Sequence, residues 1–178
     1  LYPIGVWHYA RGLAFTSKGQ LDEADAELAA AKAIASDERI EGVSVWDINT
    51  AQSLMQIASY LLEGELAAKR GQWKSAISAL RKAVALQDEQ NYDEPPSWYT
   101  STRNVLGAVY LEAGQPKEAE RVYREDLRVF PNNGWALYGL AQSLEAQGKP
   151  KEAAEAQKQF EEAWSRADVG LSSSRSMD

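Results

Sequence analysis

Apolar, small and polar positions recur along this chain at fixed distances from four glycines. The surrounding phrase is nearly the same each time: Gly19-Gln20-Leu21-Asp22-Glu23-Ala24, Gly71-Gln72-Trp73-Lys74-Ser75-Ala76, Gly114-Gln115-Pro116-Lys117-Glu118-Ala119 and Gly148-Lys149-Pro150-Lys151-Glu152-Ala153. Glycine enters the left-handed conformation that ends a helix at little cost, and Pro116 and Pro150 suit a first helical turn, where no amide donor is missed. Each phrase therefore reads as one helix stopping and the next starting. Seven residues before the glycine stands Gly12, Gly64, Gly107 or Ala141, and five after it Ala24, Ala76, Ala119 or Ala153. Small residues at matched depths let the two arms approach, while Phe15, Tyr110, Leu144, Leu28, Leu80 and Tyr123 fill the layers between them. The pattern predicts helical hairpins and no strand.

The turn glycines are spaced 52, 43 and 34 residues apart, so two insertions interrupt an otherwise regular series. The first covers 36–49, where Gly42, Val43 and Val45 interrupt helix. After it Asp47 or Asn49 is placed to cap a long helix that reaches Arg70 and overhangs its neighbours. The second covers 88–97 and is acidic, aromatic and proline-rich; Pro95 and Pro96 break helix before the third hairpin. The hairpins then fall at about 3–36, 48–88, 96–130 and 132–167 within a single domain spanning 1–178, followed by a polar segment at 168–178. Its last part, Gly170 to Asp178, reads as disordered.

These residues resemble the tetratricopeptide-repeat family, whose repeat carries a small residue in its first helix, a turn glycine, then alanine, an aromatic and a closing proline. The third hairpin matches best, running from Leu106-Gly107 through Tyr110, Gly114, Ala119 and Tyr123 to Pro131. The resemblance covers nearly the whole chain, although Arg11 and Glu63 stand where an apolar residue is usual, and those helices are expected to be partly exposed there. It implies an all-α, right-handed superhelix of about four helix-turn-helix repeats. The segment around Asp93-Glu94-Pro95-Pro96 and Trp98-Tyr99 is also similar to the C-terminal region of larger bacterial proteins of this family, which suggests a piece of something longer. The chain opens at Leu1 without methionine or a leader, so a targeting segment is expected to be removed or to lie elsewhere. Nothing assigns a compartment.

Composition narrows the chemistry. The longest apolar runs, such as Ile57 to Leu62, fall far short of the roughly 20 residues that cross a bilayer. With no cysteine, disulfides, thiolate metal sites and cysteine nucleophiles are excluded. A net charge of -7, with no dense basic cluster, disfavours nucleic acid as a partner. The one histidine, His8, sits between Trp7 and Tyr9 and reads as a packing residue. The acidic run Asp88, Glu89, Asp93 and Glu94 lacks the central glycine and terminal glutamate of a calcium loop. No catalytic residue, cofactor or metal is expected.

The family resemblance implies that the first helix of each hairpin lines a concave groove where protein or peptide partners bind. Distance from each turn glycine places Tyr9, Leu13, Leu61, Glu65, Asn104, Ala108, Trp135, Tyr138 and Gln142 there, with Tyr9, Trp135 and Tyr138 as aromatic anchors. The loop residues Tyr92, Trp98 and Tyr99 form a secondary candidate, since insertions in repeat proteins emerge as loops on one face; the alternative is that they cover an exposed edge between hairpins. A clamp for the carboxylate tails of chaperones is disfavoured, because Asn104 alone matches in type and Lys69 is the only base among the stations. Two other readings stay open: a self-associating or internal scaffold of a larger protein, and, more remotely, an enzyme.

Overall fold

In the computed structural model, which describes residues 1–175, eight α-helices account for most of the described chain. They are α1 (Tyr2–Ser17), α2 (Leu21–Ala35), α3 (Ala51–Lys69), α4 (Trp73–Asp88), α5 (Thr102–Glu112), α6 (Pro116–Val129), α7 (Gly134–Glu145) and α8 (Pro150–Ala163). The chain divides into two compact units, Leu1–Thr102 and Arg103–Asp178.

All four hairpin turns are built alike. Gly19, Gly71, Gly114 and Gly148 have φ between 69° and 73°. In each turn the amide after the glycine reaches back five residues: Gln20 to Phe15, Gln72 to Ala67, Gln115 to Tyr110 and Lys149 to Leu144, at 2.8–3.0 Å. The glycine amide bonds three residues back, which completes a Schellman closure of the outgoing helix. The same Gln20, Gln72, Gln115 and Lys149 then accept from Ala24, Ala76, Ala119 and Ala153, opening the next helix. One residue thus closes one helix and begins another.

In the first unit α3 is the central element, packed against α1, α2 and α4. A Cβ on Gly12 would lie 2.4 Å from Leu62, and one on Gly64 2.5 Å from Leu80, so both glycines mark close helix approaches. The N-terminal turns of α3 do not overhang: Ala51, Leu54 and Met55 are fully buried, with Met55 filling the space a side chain at Gly5 would need. Its cap is Thr50, whose hydroxyl accepts from the Ser53 amide at 3.1 Å, and neither Asp47 nor Asn49.

The expectation of no strand is corrected by a short antiparallel ribbon, β1 (Ser44–Val45) with β2 (Asn49–Thr50), paired Ser44 to Thr50 and Val45 to Asn49. Trp46 and Asp47 turn the chain with positive φ, and the Ser44 hydroxyl donates to Asp47 Oδ1 at 2.9 Å. The two insertions meet. Buried Asn49 donates to the Asn91 carbonyl at 3.0 Å and to Ser97 Oγ at 3.1 Å and accepts from the Asn91 amide at 2.8 Å; Asn91 in turn donates to the Ile48 carbonyl.

In the second unit α7 packs against α6 and α8. Asn133 caps α7, accepting from the Trp135 amide at 3.1 Å while its Nδ2 donates to the fully buried Asp126 at 2.7 Å and to Asn104 Oδ1 at 3.3 Å.

Candidate functional site

On α5, Asn104, Ala108 and Glu112 are four residues apart and share one face; on α7, Trp135, Tyr138 and Gln142 form a similar stripe. Tyr123, on α6, reaches between these helices. A Cβ at Gly107 would lie 2.3 Å from its ring Cζ, and one at Gly139 2.2 Å, so only two glycines leave room for the ring. Its hydroxyl emerges 2.6 Å from Ser174 Oγ. Ser174 also donates to the Asn104 carbonyl at 2.9 Å. A serine hydroxyl carries a single proton, so Tyr123 is the donor in the bond between the two hydroxyls. Burial pushes the Tyr123 phenol well up, assisted by Glu112 and Asp126 and opposed by the Ser174 bond and Arg175, which keeps it a donor at ordinary pH.

One residue on, the Arg175 guanidinium meets both oxygens of Glu112, at 2.7 and 2.8 Å. Ser172, Ser173 and Ser174 line an open depression of about 140 Å³ together with Ala108, Leu111, Glu112, Tyr123 and Gln142. The expectation of disorder from Gly170 onward is therefore corrected as far as Arg175: Ser174 is 4% exposed and bonded on two sides. The rest of that expectation, Ser176 to Asp178, lies outside the described residues.

The predicted positions of this unit divide into two groups. Asn104, Ala108 and Gln142 gather around the serine segment. Trp135 and Tyr138, both half-buried, turn instead to α8: Trp135 meets Trp164 edge-on at 5.4 Å, Tyr138 lies 5.3 Å from Phe160, and Phe160 stacks on Trp164. Sequence reasoning missed Glu112, Ser174 and Arg175, and took Tyr123 only as a layer-filling ring. The available signal was the polarity of the Tyr123 hydroxyl at a position otherwise wholly buried.

In the first unit, Tyr9, Leu61 and Glu65 are buried and Leu13 is half-buried. Trp98, 4% exposed, meets Tyr9 edge-on at 5.4 Å and lies 5.5 Å from Tyr99, so the chain just after the second insertion covers Tyr9. Burial first, then Tyr99 and the Glu65 charge, raise the Tyr9 phenol well above its ordinary value. Tyr92 stays 83% exposed and Tyr99 71%. His8 Nδ1 lies 2.6 Å from Glu27, which also pairs with Arg11 at 3.2 Å, and the Arg11 guanidinium covers the Trp7 ring at 4.2 Å. The half-exposed Arg11 and Glu63 follow the expectation for those helices. Among the described residues no group of three or more acidic or histidine side chains converges to hold a metal ion.

Two tetratricopeptide-repeat profiles match the sequence, over residues 55–132 and 110–159. The chain belongs to the tetratricopeptide-repeat family. This protein's fold is all-α and of that type, and the family's repeats serve as protein-interaction scaffolds. The fold is similar to a crystal structure of the MamA protein, at a TM-score of 0.51 and 18% identity, covering 96% of this chain and 99% of that one. A second MamA structure, from AMB-1, gives a TM-score of 0.51 at 17% identity over 93% and 94%. No curated protein matches this tetratricopeptide-repeat chain in sequence. None of its helices is long and apolar enough to cross a membrane, among the described residues.

Proposed function

We propose that this protein binds a peptide segment of a protein partner on the face of its second unit formed by Asn104, Ala108 and Glu112 of α5 and Gln142 of α7. One observation carries the reading: a non-helical stretch of polypeptide, Ser172 to Arg175, lies on that face with its polar groups matched, Ser174 to Asn104 and Tyr123 and Arg175 to Glu112. A surface that satisfies a peptide's hydroxyl and cation has what peptide recognition asks of a protein. Trp135 and Tyr138 supply an apolar extension on the same stripe of α7. Tyr9, which meets Trp98, forms with Leu13, Leu61 and Glu65 the corresponding candidate wall of the first unit. No chemical step is assigned to any of these groups.

Panning a library of random twelve-residue peptides against the full chain tests this. Enriched peptides are expected to lose about tenfold or more in affinity with Ala108→Arg, which fills the face, and less with Trp135→Ala plus Tyr138→Ala. Enriched peptides that bind Ala108→Arg undiminished would place the site elsewhere.

A second reading has its own observation. Ile4 and Trp7, three residues apart on α1, are 52% and 51% exposed, an apolar stripe that suits side-by-side packing of a second copy.

A further inference from the structure

Resting on the peptide reading above, we propose that Leu171–Arg175 is a built-in competitor for that face, and that the partner strand it stands in for presents a small hydroxyl residue followed by a basic one. The second position is fixed by charge. Glu112 is the carboxylate that Arg175 meets with both oxygens, its side chain remains 37% exposed, and the chain as a whole carries -7. Both contacts come from one nitrogen, Nη2, so the carboxylate selects a cation that reaches it, and arginine is the one the segment supplies.

The first position is fixed by hydrogen bonding. Tyr123 is held in its glycine slot with the hydroxyl facing Ser174, the partner the structure gives it, and a buried phenol left without one is costly. An occupant must therefore offer an acceptor to Tyr123 and a donor to the Asn104 carbonyl from one short side chain, and serine or threonine does both. A valine or leucine there would strand two polar groups at once. The segment is also built to leave. Only Ser174 is fully buried; Leu171, Ser173 and Arg175 are half-buried and Ser172 is exposed. A competitor held through Ser174 and the Arg175–Glu112 pair lowers the apparent affinity for a partner by the fraction of time it is docked, without abolishing binding.

The test uses the full chain and a fluorescent peptide of the sequence Gly170 to Asp178, read by anisotropy. Arg175→Glu sets a like charge beside Glu112 and should release the segment, so the peptide binds this variant about tenfold more tightly than the unchanged protein if the segment is docked about nine-tenths of the time. The double variant Arg175→Glu with Glu112→Lys should lose the peptide, and a peptide carrying glutamate in place of its arginine should regain it. A peptide with valine in place of its third serine, the one corresponding to Ser174 and fifth residue from Gly170, should fail on Arg175→Glu. Equal affinity for the unchanged chain and Arg175→Glu overturns the competition. Failure of the peptide to bind Arg175→Glu, with circular dichroism unchanged, overturns the ligand chemistry. If library peptides still bind through Ala108 in either case, only this inference has failed; if none binds Arg175→Glu, the peptide reading itself has failed.

Discussion

Glycine serves two different physical purposes in this chain, and substitution separates them. At Gly114 the backbone sits at φ 70° with open space where a side chain would go, so alanine there meets no atom but strains the turn, at about 1–2 kcal/mol. At Gly107 the conformation is helical and the obstacle is the Tyr123 ring 2.3 Å away, an overpacking expected to cost about 1–3 kcal/mol. Shortening the ring by Tyr123→Leu should recover much of the Gly107→Ala loss and none of the Gly114→Ala loss, measured as urea midpoints in a double-mutant cycle. Additive Gly107 and Tyr123 effects would mean the slot is not what constrains them. The sequence pattern located both kinds of glycine. It could not show that the second kind also aims a hydroxyl, because the spacing that places a ring in a layer says nothing of which side its far end reaches.

At the level of elements, the turn from α7 to α8 is held to α6 through Glu120. That carboxylate accepts from Lys149 at 2.7 Å, from Gln147 at 2.8 Å and from Arg124 at 2.9 Å. Burial works to raise its pKa, but these donors outweigh it and hold the group down at about 2. A depressed carboxylate adds stability above its unfolded pKa and loses it as the pH falls through the folded one. The stability gap between the unchanged protein and Glu120→Gln should therefore be constant above about pH 5 and shrink between about pH 4.5 and pH 2, followed by chemical denaturation. A gap unchanged at pH 2 would show that something other than ionisation sets it. The helix pairs themselves were legible because caps, small residues and turn glycines agree in register. The β1–β2 ribbon was not: two-residue strands have no period to read, and the ribbon is anchored by Asn49 bonding across to Asn91, a contact 42 residues away in sequence. The segment Leu171–Arg175 was missed for a similar reason. The two hydrogen bonds of Ser174 contribute about 1 kcal/mol each, against roughly 1–2 kcal/mol to order each residue, so docking of the segment depends on distant partners that a local reading cannot see.

For the molecule as a whole, charge and apolar surface pull in opposite directions. The net charge of -7 keeps copies apart, while Ile4 and Trp7 offer an apolar stripe. If the stripe serves self-association, the apparent mass from light scattering should rise with concentration, more so at high salt where repulsion is screened, and Trp7→Glu should abolish the rise. A mass independent of concentration and salt would remove that reading. The candidate site was legible in part: distance from the turn glycines brought Asn104, Ala108 and Gln142 to one place, whereas Trp135 and Tyr138 went to Phe160 and Trp164, whose demand for aromatic neighbours no repeat arithmetic contains. The double duty of Gln20, Gln72, Gln115 and Lys149 has one more consequence. A turn with no spare residue cannot lengthen without undoing two helix ends at once, so length variation is driven to the connections between hairpins, where both insertions lie. Those connections are the natural points for grafting foreign sequence into this scaffold.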